Sequence, residues 1–144
     1  MAYWIKLAGS STDPYVEDDP RPRDAVWRNE QGGTAFPKRP RSINKGDTLI
    51  IYAVVSWKFF GRGRIYAVEE VLSEEAEERG RDPYTWVLPT RRVAVAPSLA
   101  RAPTLSDIDV DSRAVGRRPY LRLDDDKGQQ AEALIRAQDE GSIG

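Results

Sequence analysis

Two tryptophans stand beside cations in a basic part of the chain. Trp27 precedes Arg28 and Asn29, and Trp57 precedes Lys58. A ring beside a cation suits a flat ligand that carries a phosphate, because stacking on an aromatic side chain contributes about 1–3 kcal/mol per base. The pattern therefore predicts a nucleobase pocket. The alternative is that each indole covers the core and satisfies its N–H group at the surface.

The net charge of −1 conceals a strong segregation of charge along the chain. Residues 21–64 carry ten basic and three acidic side chains, and residues 86–122 carry a net charge of +4. The intervening and terminal segments are acidic. If the two basic blocks share a face, they form a local footprint for an anionic ligand. The alternative is an ordinary solvated surface.

Missing residue types exclude several classes of enzyme. The 144 residues contain no cysteine and no histidine, so thiolate zinc sites, histidine metal ligands and Ser-His-Asp triads are excluded. Asp107, Asp109 and Asp111 alternate as in a calcium loop, but they lack its glycine and distal glutamate, which favours a capping segment. We expect no catalytic residue, no metal and no cofactor, and hence a protein that is not an enzyme.

The elements that must position these residues are mostly strands. Period-two alternation or continuous apolar runs predict strands, and helical spacing predicts a helix that carries Ala131 to Gln138. A helix is also predicted from Ser73 to Gly80, with a shorter one near Arg23 and a helical turn at Thr104. Residues 31–41 are predicted to be an irregular basic loop. The predicted strands are Tyr3–Leu7, Thr48–Val55, Phe59–Val68, Trp86–Val95 and Tyr120–Leu123.

Five or six strands with short peripheral helices are typical of a small β-barrel of the α+β class. With no linker and no repeat, residues 1–144 are expected to form a single domain. No apolar run approaches the length of a membrane span, and the N-terminus begins with strand alternation rather than a signal peptide. We therefore expect a cytoplasmic protein with no membrane partner.

Five segments, in order along most of the chain, carry a resemblance to a known family. They are Tyr3-Trp4-Ile5-Lys6, Val26-Trp27-Arg28-Asn29, Lys45-Gly46-Asp47, Phe60-Gly61-Arg62-Gly63-Arg64-Ile65 continuing to Val71, and Tyr120-Leu121-Arg122-Leu123. In these the chain resembles the EVE domains of the PUA-like superfamily, which are related to YTH and ASCH domains. The segment from Tyr52 to Ser56 departs from the tyrosine-histidine-serine run of EVE domains, and their second arginine-asparagine pair is absent.

The resemblance implies a closed barrel whose pocket holds one flipped, modified base between aromatic rings. Candidate bases are 5-methylcytosine, 5-hydroxymethylcytosine and N6-methyladenine, in DNA or RNA. Asn29 is the candidate for reading a base edge, because its amide both donates and accepts. The pocket residues are then Trp27, Asn29, Ser56, Trp57 and Tyr84, and the phosphate-binding residues are Arg28, Lys58, Arg62 and Arg64.

The expected partner is nucleic acid that carries a modified base, with a possible effector domain in a partner protein. One alternative is a small hydrolase or nuclease similar to ASCH proteins, in which Lys58 would act with Glu69 or Asp47. The other is a protein-interaction module with a purely structural set of aromatic residues. It predicts that Trp27 and Trp57 are both buried, which acrylamide quenching of single-tryptophan variants would test.

Overall fold

The computed structural model describes residues 1–8, 32–53, 63–80, 84–97, 101–111 and 119–141. These residues contain six strands, a one-turn 3₁₀ helix and a long C-terminal α-helix. The strands are β1 (Tyr3–Ala8), β2 (Gly33–Phe36), β3 (Thr48–Ala53), β4 (Arg64–Val71), β5 (Trp86–Val95) and β6 (Tyr120–Leu123). The 3₁₀ helix spans Leu105–Ile108, and helix α1 spans Asp125–Gly141.

The strands form one mixed sheet in the order β2-β5-β4-β3-β1-β6. The neighbours β1 and β3 are parallel, and the other four neighbouring pairs are antiparallel. All six residues of β3 are buried, as expected for a strand covered on both faces. The prediction of a small α+β fold with five or six strands is confirmed at this level.

The two edge strands of the sheet approach each other, which makes the sheet a curled half-barrel. The ring of Phe36 in β2 lies 5.5 Å from the ring of Tyr120 in β6, in an edge-to-face arrangement. Among the described strands, no backbone ladder joins β2 to β6. We call the line along which these two edges meet the seam.

Alternation along β1 separates the two faces of the sheet. Tyr3 and Ile5 belong to the cluster that packs against α1, whereas Trp4 belongs to the cluster inside the curl. Lys6 follows the same alternation and is also buried. Both faces of β1 are therefore covered.

Helix α1 packs on the outer face as its sequence spacing predicts. Ala131 and Ile135 are fully buried four residues apart, which places them on one face of the helix. Gly128 lets the helix approach the ring of Tyr3, where any larger side chain would collide with that ring. The Tyr3 hydroxyl donates to Glu132 at 3.0 Å. Burial and this carboxylate raise the pKa of Tyr3 to about 12.

Asp47 fixes the turn that leads into β3. Its carboxylate accepts hydrogen bonds from the Ala2 and Asn44 backbone N–H groups at 2.9 Å and from the Trp4 indole at 3.0 Å. Burial acts to raise the pKa of Asp47, but these hydrogen bonds outweigh burial and lower it. The Lys45-Gly46-Asp47 segment thus ties the N-terminus to β3.

Two sequence predictions about local structure were wrong. Gly33–Phe36 is strand β2 and not part of an irregular loop, because it pairs with β5. The Ser73 to Gly80 segment is not helical. Glu77 exchanges two backbone hydrogen bonds with Val87, at 2.8 and 2.7 Å, so pairing with β5 replaces the intrahelical bonds. The short helix expected near Arg23 lies outside the described residues.

The segment of alternating aspartates acts as a cap, as predicted. Asp107 accepts a hydrogen bond from the Thr104 backbone N–H at 2.8 Å, next to the 3₁₀ helix. Among the described residues, no three acidic side chains are grouped so as to hold a metal ion.

None of the helices in the described ranges combines the length and the apolar character that crossing a bilayer requires.

Candidate functional site

A lysine amine is buried at the seam among aromatic rings. Lys6 stands opposite Tyr120 in the β1–β6 ladder and is only 4% exposed. Its Nζ lies 4.9 Å from the centre of the Phe36 ring and 6.0 Å from that of Tyr84. We call Lys6, Phe36, Tyr84 and Tyr120 the seam cluster.

Burial changes the acid–base behaviour of Lys6. Removing the ammonium from water lowers the pKa of Lys6 from 10.5 to about 8, although the negative charge of Glu69 opposes the change. The amine donates to the Leu7 carbonyl at 2.5 Å, its one hydrogen bond to the residues described. The seam therefore contains a cation whose charge changes near neutral pH.

The Glu69 carboxylate is the negative charge that acts on the pKa of Lys6, and both of its oxygens accept hydrogen bonds from other residues. It pairs with Arg92 across β4 and β5, and Oε2 accepts from the guanidinium at 2.7 and 2.9 Å. Oε1 accepts from the hydroxyls of Thr90, at 2.8 Å, and Thr34. The Glu69 side chain is 1% exposed, and its carboxylate accepts four hydrogen bonds. These hydrogen bonds compensate most of the free-energy cost of burying the charge.

Further rings and cations lie next to the seam cluster. Trp4 packs edge-to-face on Tyr120, with ring centres 5.7 Å apart, and the Arg122 guanidinium lies 5.9 Å from the Trp4 ring. On the other side of the seam, Arg39 lies 5.7 Å from the ring of Trp86. Alternating rings and cations suit a planar ligand with acceptor groups at its edge.

Strands β1 and β3 end side by side, and each is followed in the chain by one of the two segments that contain the predicted tryptophans. Ala8 and Ala53 are in register at the ends of the parallel strands β1 and β3, so residues 9–31 and 54–62 begin at neighbouring positions. Most of the predicted site residues belong to these two segments and lie outside the described residues, so they stay predictions. They are Trp27, Arg28, Asn29, Ser56, Trp57, Lys58 and Arg62.

The structure describes two of the predicted site residues. Tyr84 is 36% exposed, and its ring belongs to the seam cluster. Arg64 begins β4 opposite Ala53, and its guanidinium donates to the Ala102 carbonyl at 2.8 Å. Its Nε is buried and has no hydrogen-bond partner within the described ranges. Arg64 begins β4, whereas Tyr84 precedes β5 at the other end of the antiparallel β4–β5 ladder, and no contact between the two residues is described.

Sequence reasoning missed Lys6 as a site residue. It considered Glu69 and Asp47 only as partners for Lys58. Alternation places a lysine between apolar positions on the solvent face of a half-buried strand, whereas both faces of β1 are covered. The sequence signal that was available is the presence of aromatic residues in the segments that form the seam, namely Phe36, Tyr84 and Tyr120.

Two shallow grooves lie away from the seam cluster. One, of about 270 Å³, is formed by the chain between β2 and β3 and is lined by Arg39, Pro40, Arg41, Ile43, Asn44 and Glu74. The other, of about 160 Å³, lies near α1, with Glu132 and Arg136 in its lining. The first is the more basic of the two, so it offers a second anionic contact surface.

Comparison with known proteins identifies no family. No protein-family model matches the chain, and no curated protein matches it. Similar solved structures include the NMR structure of Rpa0253 from Rhodopseudomonas palustris, a structural genomics target, at 13% identity and a TM-score of 0.46. That match covers 100% of this chain and 96% of the other. A similarity at this level assigns neither a family nor a function to the chain.

Proposed function

We propose that this protein is a non-enzymatic reader of a modified base in DNA or RNA, built on a PUA-like barrel. The observation that supports the proposal most is the register of Ala8 with Ala53. It brings the ends of β1 and β3 together, and from these two ends the chain continues into the segments that contain Trp27 and Trp57. The likeness to EVE domains, noted from sequence, points to the same function.

Stacking and phosphate contacts supply most of the binding free energy in this account. The base leaves its stack and inserts between rings, each worth about 1–3 kcal/mol, with Tyr84 at the edge of the pocket. Burying one methyl group adds only about 0.8 kcal/mol. Selectivity for a modified base therefore also depends on how easily that base is extruded. Asn29 and Ser56 would contact its edge.

Basic side chains outside the pocket would hold the phosphates. Contacts with phosphate add affinity that falls with salt concentration but carry little sequence information. The candidates are Arg28, Lys58, Arg62 and Arg64. Whichever enzyme activity accompanies recognition would belong to an effector domain in a partner protein.

Calorimetric titration of short oligonucleotides tests the proposal. The probes carry 5-methylcytosine, 5-hydroxymethylcytosine, N6-methyladenine or no modification. We expect one modified probe to bind best, and Trp27→Ala or Trp57→Ala to weaken its binding about fivefold to hundredfold, because each removes one stacking ring.

Leu72→Ala is the control, since Leu72 is 44% exposed and no part of the seam cluster. It should bind like the wild type. Equal affinity for every probe, unchanged by either tryptophan substitution, would refute the proposal.

A lysine-dependent hydrolase is the second candidate, favoured by the lowered pKa of Lys6. A partly neutral amine is a better base or nucleophile than an ordinary lysine. The two carboxylates suggested from sequence, Glu69 and Asp47, already accept hydrogen bonds from other groups of the protein, so their oxygens are not directed at a substrate. Release of product from a bound probe, abolished in Lys6→Met, would favour this candidate.

A further inference from the structure

The amine of Lys6 has more donor capacity than the described protein atoms use. An ammonium carries three N–H donors, and among the residues described only the Leu7 carbonyl accepts one of them. The rings of Phe36 and Tyr84 attract the cation but accept no conventional hydrogen bond. A buried donor without an acceptor is costly, so the site suits a ligand that supplies one.

Glu69 does not fill this role. Its carboxylate is the charge that acts most strongly on Lys6, yet both oxygens are engaged by Arg92, Thr34 and Thr90. No ion pair between Lys6 and Glu69 occurs among the described contacts. The Glu69 carboxylate in β4 is thus fully hydrogen bonded, whereas the amine of Lys6 retains N–H donors that no described residue accepts.

We infer that Lys6 Nζ donates a hydrogen bond to a ring carbonyl oxygen of the bound ligand at the seam. The inference rests on the proposed function and specifies its ligand class. A modified cytosine offers the O2 carbonyl oxygen as an acceptor, whereas the acceptors of N6-methyladenine are all ring nitrogens. We therefore expect an oxo-pyrimidine as the ligand, with the exposed ring of Tyr84 at the edge of the pocket and the ring carbonyl directed at Lys6.

The free-energy cost of burying the Lys6 ammonium supports a role for this residue in binding. A lysine that loses its hydration without gaining an ion pair reduces the stability of the fold at neutral pH. Positions where a sequence breaks the rules of folding are expected at functional sites. In the inferred complex, the ligand oxygen replaces part of the lost hydration.

The test is calorimetric titration of wild type, Lys6→Met and Lys127→Met with the 5-hydroxymethylcytosine and N6-methyladenine oligonucleotides. Lys127 is the matched control, because its amine is hydrogen bonded to the Asp109 carbonyl at the surface. We expect Lys6→Met to weaken binding of the cytosine probe about tenfold to hundredfold, since a charged hydrogen bond is lost. Lys127→Met should match the wild type.

The pH profile separates a binding role from a structural one. As Lys6 loses its proton above pH 8, wild-type affinity for the cytosine probe should fall severalfold by pH 9.5, while Lys6→Met shows no such fall. Other ionisable groups face Lys6 and also titrate with pH. They are unchanged in Lys6→Met, so the pH profile of this variant shows their contribution alone. These are Glu69 in β4, Tyr84 just before β5 and Tyr120 in β6.

The outcomes distinguish the two proposals. If the wild type binds a modified probe and Lys6→Met binds it equally with the same pH profile, the role of Lys6 is refuted and the reader proposal stands. Preference for the N6-methyladenine probe also overturns the inference about the carbonyl. If the wild type binds none of the probes, both proposals fail. Circular dichroism and thermal unfolding confirm that each variant is folded.

Discussion

Replacing Glu69 with alanine is expected to lower the free energy of unfolding by about 3–5 kcal/mol. The substitution removes the Glu69 carboxylate from the Arg92 guanidinium, whose side chain is 12% exposed. It also leaves the hydroxyls of Thr34 and Thr90 without their shared acceptor. Urea unfolding followed by circular dichroism would measure the loss.

The neighbouring residue provides a matched control for this prediction. Glu70 forms an ion pair with Arg91 at 2.5 Å, but the two side chains are 41% and 66% exposed. Exposed pairs contribute little, so Glu70→Ala should cost less than about 1 kcal/mol. The double variant Glu69→Leu/Arg92→Met should recover most of the loss, because it removes both buried charges. Equal losses for the Glu69 and Glu70 variants would contradict the assigned burial.

Replacing Lys6 with methionine is expected to stabilise the fold in a manner that depends on pH. The pKa of Lys6 is about 8 in the folded state and 10.5 in the unfolded chain. Between these values the unfolded chain binds more protons, so wild-type stability rises with pH. Below pH 8 both states are protonated, and the wild type bears the full cost of the buried charge.

The expected size of this effect follows from the two pKa values. The advantage of Lys6→Met over the wild type should shrink by about 3 kcal/mol between pH 7 and 10.5. Tyr3, whose pKa is raised to about 12, lowers stability above pH 10 in both proteins and cancels in the difference. Urea unfolding at several pH values provides the comparison, with Lys127→Met as the control. A difference that does not vary with pH would show that Lys6 is not buried as described.

Local patterns predicted most strands because period-two alternation and continuous apolar runs are both visible in the sequence. Trp86–Val95 and Tyr120–Leu123 were predicted with the bounds that the structure has, and the spacing of Ala131 and Ile135 predicted α1. Strand β2 was not predicted, because the segment from Gly33 to Phe36 is short and its polar and apolar residues do not clearly alternate. It is a strand only through its partner β5, and such a long-range pairing leaves no local signal.

The predicted helix after Ser73 shows the opposite error. Capping residues and acidic side chains favoured a helix start, and the Ser73 hydroxyl does accept the Glu75 N–H at 3.0 Å. Pairing of Glu77 with Val87 then takes the chain away from helical geometry. Tertiary contacts therefore override a favourable local sequence.

The candidate site was harder to predict than the fold because it forms where distant edges of the sheet meet. Lys6 and Tyr120 are partners in the β1–β6 ladder, but only the curl of the sheet brings Phe36 in β2 next to them. The aromatic residue Tyr84 was predicted from the resemblance. No local sequence pattern marks Lys6, whose amine lies at the centre of the cluster, as a site residue.

Chemical-shift mapping by NMR tests most directly whether the seam binds the ligand. Backbone amide signals of the labelled wild-type protein would be followed during titration with a 5-hydroxymethylcytosine oligonucleotide. We predict that the largest changes occur at Lys6, Phe36, Tyr84 and Tyr120. Changes confined to the groove of Arg39 and Arg41, or no changes at all, would contradict the assignment of the seam as the binding site.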